Sequence, residues 1–144
     1  MMSLRRRRDA GSASVELAIL APVILGLVAL TVYAGRVTLA RQAVDAAAFD
    51  AARTASIART EGAARSTGRS AGLSTLGSLG LSCRSRDVSI NASEFDKDPG
   101  EAGTVSARVS CTVDGSDLGL PGIPLRTRLT GTFTSPLDTY RGRG

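Results

Sequence analysis

The run Leu17-Ala18-Ile19-Leu20-Ala21-Pro22-Val23-Ile24-Leu25-Gly26-Leu27-Val28-Ala29-Leu30-Thr31-Val32-Tyr33 decides how the rest of the chain is read. It carries no charge, and as a helix rising about 1.5 Å per residue it spans roughly 26 Å, close to the hydrocarbon thickness of a bilayer. Pro22 removes one backbone N–H early in the run and bends a helix, which membrane helices tolerate when neighbouring groups take up the freed carbonyl. Upstream lie Arg5, Arg6, Arg7 and Arg8, whereas downstream the nearest basic residues are Arg36 and Arg41. That asymmetry puts the N-terminus in the cytoplasm and the remainder outside a single-pass segment of the cell membrane. The alternative is a removable export signal or plain anchor on a secreted or surface structural protein. Against a removable signal stand a 17-residue apolar run where about 7–15 residues is usual, a poor cleavage match at Val32-Tyr33-Ala34, and a carboxylate, Glu16, at the start of the run.

Composition excludes most chemistry. The 144 residues include no His and no Trp, three Phe, two Tyr and two Cys. A Cys/His zinc site and any triad built on His are therefore absent, and neither an enzymatic activity, a cofactor nor a small-molecule substrate is expected. The formal charge of +5 sits largely in the Arg5–Arg8 block; removing residues 1–11 leaves +2. With basic residues scattered beyond that block and no aromatic platform for stacking bases, no nucleic-acid partner is expected.

Glu16 is the most informative residue, because a carboxylate at the edge of hydrocarbon is costly and usually marks a partner or a function. It stands five positions after Gly11, in Gly11-Ser12-Ala13-Ser14-Val15-Glu16, behind the basic leader. This spacing resembles the type IV prepilin processing signal, in which a membrane peptidase cuts after Gly at the cytoplasmic face. Cleavage after Gly11 would make Ser12 the new N-terminus. A freed α-amino cation there is expensive in an apolar setting, and a Glu one helical turn along can neutralise the same group on an adjacent subunit, setting the stagger between protomers.

Extended to Leu17-Ala18-Ile19-Leu20-Ala21-Pro22, the segment resembles the N-terminal motif of TadE/TadG-like proteins, with Glu16 and Pro22 at the matching positions. Leu17 stands where an aromatic residue often follows the Glu. The tail Ser135-Pro136-Leu137-Asp138-Thr139-Tyr140-Arg141 also resembles that of some short members. The resemblance implies a minor, pseudopilin-like part of a Tad (Flp-type) pilus assembly system. Its implied partners are membrane lipid, a prepilin-type peptidase and other pilin or pseudopilin subunits.

Past the apolar run, Val37, Ala40, Val44, Ala47, Ala51, Ala55 and Ala58 recur at three- and four-residue steps in an Ala-rich stretch without Pro, which predicts one helical stem ending between Gly62 and Gly72. The small-residue seam packs on the protein's own C-terminal region or on a neighbouring helix. Ser70–Ser82, with Gly72, Gly77 and Gly80 among Ser and Leu and no charge, reads as a connecting loop or frayed helix. After Cys83 the periodicity becomes two: Val88 and Ile90; Val105, Ala107, Val109, Cys111 and Val113; then Leu125, Leu129 and Phe133. Three short strands follow, joined by 91–103 and by the Gly/Pro-rich 114–124, in an antiparallel sheet with one apolar face against the stem.

In an oxidising outer compartment Cys83 and Cys111 are expected to form a disulfide. The acidic loop Glu94–Glu101 offers four carboxylates, but Lys97 and Pro99 break a calcium-loop pattern, so a solvated turn is expected and no metal is assigned. The expected fold is α+β and pilin-like. It divides into a leader (1–11), a transmembrane helix (12–34), an Ala-rich stem (35–72), a β-rich head (73–135) and a flexible tail (136–144).

Overall fold

The computed structural model describes residues 6–98, 100–119, 122 and 124–138, with side chains described from residue 14 onward among these. Residues 1–5 of the leader, including Arg5, and Thr139-Tyr140-Arg141 of the tail lie outside the described residues. The fold is α+β: helix α1 (Arg6–Ser56), helix α2 (Glu61–Ser78), and strands β1 (Ser85–Asn91), β2 (Thr104–Asp114) and β3 (Arg126–Pro136). The chain divides into two compact units, residues 1–35 and residues 36–144.

In the first unit, α1 passes through Pro22 as helix. The side chains from Val15 to Val32 face outward in every direction, and none of the most apolar window is buried. Thr31 Oγ1 donates to the Leu27 carbonyl 2.8 Å away, so this hydroxyl is satisfied within its own helix, as an apolar surrounding demands.

The second unit holds the core. Its sheet is an antiparallel meander in the order β1-β2-β3. Val88 pairs with Val109, and Val109 pairs in turn with Gly131. The expected period-two alternation is realised on β2, where Val105, Ala107, Val109, Cys111 and Val113 are all fully buried. The opposite face carries Ser106, Arg108 and Thr112, which are exposed or half-buried, and Ser110, which is buried and accepts from Arg128 Nη2 at 3.2 Å. On β3 Leu129 and Gly131 are buried; Phe133 is exposed on one side and meets Phe49 edge to face, ring centroids 4.8 Å apart. Leu125 precedes the strand and is exposed, so it does not join the core alternation.

Two expectations from the sequence are corrected. The single stem reaching Gly62–Gly72 is two helices: α1 ends at Ser56, and Thr60 caps α2 by accepting the Ala63 N–H at 3.2 Å. Such a cap satisfies one of the orphan donors at a helix start. The stretch Ser70–Ser82 is then mostly helix rather than loop, because α2 runs to Ser78 and stops at Gly80, whose φ is +68°.

What holds α2 in place is close approach to α1. A Cβ added at Gly68 would lie 2.9 Å from the Ala51 carbonyl oxygen and 2.9 Å from Ala55 Cβ. At Gly72 the neighbours would be Ala51 Cβ and Val88 Cγ1, each at 3.2 Å. The Ala seam is thus buried against the protein's own α2, with Ala40, Ala47, Ala51 and Ala55 almost or fully inaccessible. Ala43, Ala48 and Ala52 are buried as well, because this part of α1 faces core on more than one side. Polar ties reinforce the seam: Thr75 Oγ1 donates to Asp50 Oδ2 at 2.7 Å, and Arg69 Nη1 donates to the Val88 carbonyl at 3.3 Å.

Gly68→Val should therefore cost about 2–3 kcal/mol by overpacking. Gly77→Ala, on the same helix with open space around it, should be neutral or stabilising by up to about 1 kcal/mol. Thermal denaturation of the two variants checks this, and equal behaviour would show that helix propensity, not close packing, dominates at Gly68.

The tail, expected to be flexible from residue 136, is also corrected at its start. Pro136 ends β3 and pairs with Thr104. Leu137 N–H donates to the Gly103 carbonyl at 2.8 Å, and its side chain is buried with Ala55, Ala64, Ala92, Phe95 and Val105.

Candidate functional site on the N-terminal helix

Gly11, Ser12 and Glu16 all lie within α1. Ser12 and Glu16 are one helical turn apart on α1, about 6 Å along its axis. Glu16 is exposed, and so are Val15 and Leu17 on either side of it. From Leu17 to Val32 the exposed apolar side chains form no stripe but surround the helix. A helix apolar all round is stable only when lipid or other protein surrounds it. It is the one candidate span among the described residues, with a mean hydropathy of 2.4 over its most apolar window. The site is thus a carboxylate within α1 at the N-terminal edge of its apolar run. It can act electrostatically on a neighbouring cation.

Cys83 and Cys111 are joined by a disulfide, their Cα atoms 5.4 Å apart. Cys83 precedes β1 and Cys111 stands on the buried face of β2, so the bond ties the segment after α2 to the central strand. Nearby, Asp114 at the end of β2 accepts from Arg84 at 2.7 Å and lies 3.7 Å from Arg126. These pairs are exposed and contribute little stability each, but they hold both edge strands to β2 at one end.

The acidic loop is anchored through Glu94 and Phe95, while Asp96, Asp98 and Glu101 are exposed. Its first part forms a 3-10 turn, Ser93–Asp96, and Phe95 fills the small core beside Leu137. Glu94 accepts from the Thr104 backbone N–H and from Thr104 Oγ1 at 3.1 Å, with Lys97 Nζ 3.3 Å away. The backbone N–H of Thr104, then Lys97 and the Thr104 hydroxyl, hold the Glu94 carboxyl below its ordinary range. Among the described residues no three potential ligands converge on a metal position. The sequence signal for this latch was present in the order Glu94 before Thr104, but only the β2 register reveals that the two meet.

Residues 11–53 match the family model described as TadE-like protein. The matched segment contains Gly11, Ser12, Glu16, the whole apolar run and most of the Ala seam. No curated protein matches the chain, and neither does any solved structure.

Proposed function

We propose, from the TadE-like character of residues 11–53, that this protein is a non-enzymatic, membrane-anchored, pseudopilin-like component of a Tad-type pilus assembly system. The observation that carries the reading is Glu16 at the head of the run Leu17–Val32 of α1, whose apolar side chains are exposed on every side. Such a surface is unfavourable in water by about 25 cal/mol per Å2 of apolar area, and lipid or other apolar helices remove that penalty. The Arg5–Arg8 block keeps the N-terminus cytoplasmic, and the disulfide-linked α+β unit lies outside. A prepilin-type peptidase cuts after Gly11. The resulting Ser12 ammonium then pairs with Glu16 of an adjacent pilin or pseudopilin subunit, which fixes their axial stagger. The pairing needs no cofactor and transforms no small molecule.

Intact-mass measurement on protein isolated from native membranes tests the processing step. The expected mass corresponds to a chain beginning at Ser12. A chain beginning just after Ala34 would identify a secreted structural protein instead, and an untrimmed chain would leave a plain anchor.

A further inference from the structure

The sheet is open on both sides: in the order β1-β2-β3, no further strand flanks β1 or β3 among the described residues. Edge strands in proteins are commonly blunted by charge, proline, a bulge or shortness. Over most of its length β3 is not. Its register with β2 runs unbroken from Pro136 opposite Thr104 to Arg126 opposite Asp114, and residues 129–135 contain neither a charge nor Pro. At its two ends the Leu125 carbonyl accepts the Gly115 N–H at 2.7 Å, and the Leu137 N–H donates to the Gly103 carbonyl at 2.8 Å, so the odd-numbered residues bond toward β2. Alternation then turns the N–H and C=O of Thr130, Thr132 and Thr134 outward, and all three residues are exposed.

β1 supplies the complementary edge. The Thr112 carbonyl accepts the Arg84 N–H at 2.8 Å, so the even-numbered residues of β2 serve β1. The Val88 carbonyl accordingly points away from β2, where Arg69 Nη1 of α2 reaches it at 3.3 Å. The rows of the sheet align this edge with β3: Val88, Val109 and Gly131 form one row, Ile90, Ala107 and Phe133 the next. Both outer strands are antiparallel to β2 and hence parallel to each other. A second copy set beside the first, in the same orientation and at the same level, brings its β1 to β3 in the phase that a parallel pair requires. Val88 of the second copy then accepts the Thr132 N–H and donates to the Thr130 carbonyl.

The side chains match in that register. Ile90 of the second copy meets Phe133, which is 38% exposed and forms an open aromatic pair with Phe49, 41% exposed. Asp87 of the second copy falls opposite Thr130 and diagonal to Arg128. Arg86 of the second copy, in the row of Leu129, has the groove of about 320 Å3 beside Val44, Asp45 and Leu129 to enter. Asp45 stands over Gly131 so closely that a Cβ there would lie 2.6 Å from its Oδ1. That puts the Asp45 carboxylate in the row of Val88, where Arg69 of the second copy is released from its carbonyl once the Thr132 N–H takes that place.

We infer that copies of this chain associate side by side through these two edges, β3 of one on β1 of the next, with Asp45 of one paired to Arg69 of the other. The contact is heterologous and so can repeat from copy to copy. It lies wholly within the second unit, goes beyond the pairing of Ser12 with Glu16 and does not depend on it.

The test uses the full chain reconstituted in phosphatidylcholine vesicles, with Cys83 and Cys111 left joined. Asp45→Cys and Arg69→Cys are prepared separately, and a short bis-maleimide is added to each alone and to an equal mixture. The mixture should give a covalent dimer at least about fivefold above either variant alone, because the contact joins unlike edges. A dimer formed as readily by one variant alone would mean random collision or a two-fold contact between like edges and overturn the inference; so would a mixture that stays monomeric. Charge supplies a second readout. In the chain without added cysteines, Asp45→Arg should weaken self-association in detergent by at least about tenfold, and adding Arg69→Asp should restore it. Association unchanged by Asp45→Arg, or not recovered by the exchange of charges, would also count against the contact. The cross-link should survive Glu16→Gln; its loss there would assign the association to the N-terminal helix and remove this inference while leaving the proposed function standing.

Discussion

Glu16→Gln is expected to abolish pilus assembly while leaving the protein in the membrane. Glutamine keeps the size and hydrogen-bonding capacity of the side chain but removes the charge that would compensate the neighbour's Ser12 ammonium. Stripping one partner from a buried ion pair costs about 3–5 kcal/mol, because the other charge is left uncompensated. That corresponds to at least about a hundredfold loss in association between subunits. Surface piliation and co-isolation of the other pilus subunits report the effect, and intact mass shows separately whether the leader is still removed. Glu16→Asp should recover part of the function, since the carboxylate is retained one methylene nearer the backbone. Normal piliation by Glu16→Gln would sink the pairing mechanism, whatever the state of the leader.

The second large effect concerns the outer unit. Replacing both Cys83 and Cys111 by Ser should destabilise it by about 3.5 kcal/mol in the chain-entropy description of a cross-link closing a loop of this size. The sequence separation is 28 residues. For a unit of about 100 residues that translates into a Tm lower by roughly 15–25 °C. A further contribution has the same sign: a serine at position 111 places a hydroxyl on the fully buried face of β2, and its unmatched polarity adds to the loss. Melting of the full chain with and without reductant measures the bond, and the double variant should be insensitive to reductant. A Tm within a few degrees of the parent in both comparisons would show that the sheet and helices alone hold the unit together.

How far these features were legible depends on whether the signal was local. The apolar run at 17–33 needed only hydropathy and length, and the alternation of Val105 to Val113 needed only the period of a strand. The Cys pair is legible from the compartment implied by the anchor, and the register puts Cys111 opposite Arg86, three residues past Cys83. The break at 57–60 was missed because no Pro or Gly marks it. Its signal was subtler: Thr60 followed by Glu61 at a helix start, then Ala64, Gly68, Gly72 and Leu76 at four-residue steps. Those glycines look like loop residues when propensity alone is weighed, yet here they are the contact points of one helix on another. Leu137 was assigned to a tail because nothing adjacent in sequence shows that Phe95 and Gly103 lie beneath it.

The sequence by itself determined the helix with an apolar girdle, the acid at its head, the polarity of the leader and the three-strand alternation, because each depends on residues a turn or a pleat apart. Only the tertiary structure decided that the stem folds back at Thr60, that the Ala seam is closed by the protein's own glycines, and that Glu94 and Leu137 latch onto distant backbone. Those outcomes depend on which surfaces meet, and an approach at Gly68 and Gly72 too close to admit a Cβ is a property of the assembled chain that no local periodicity encodes.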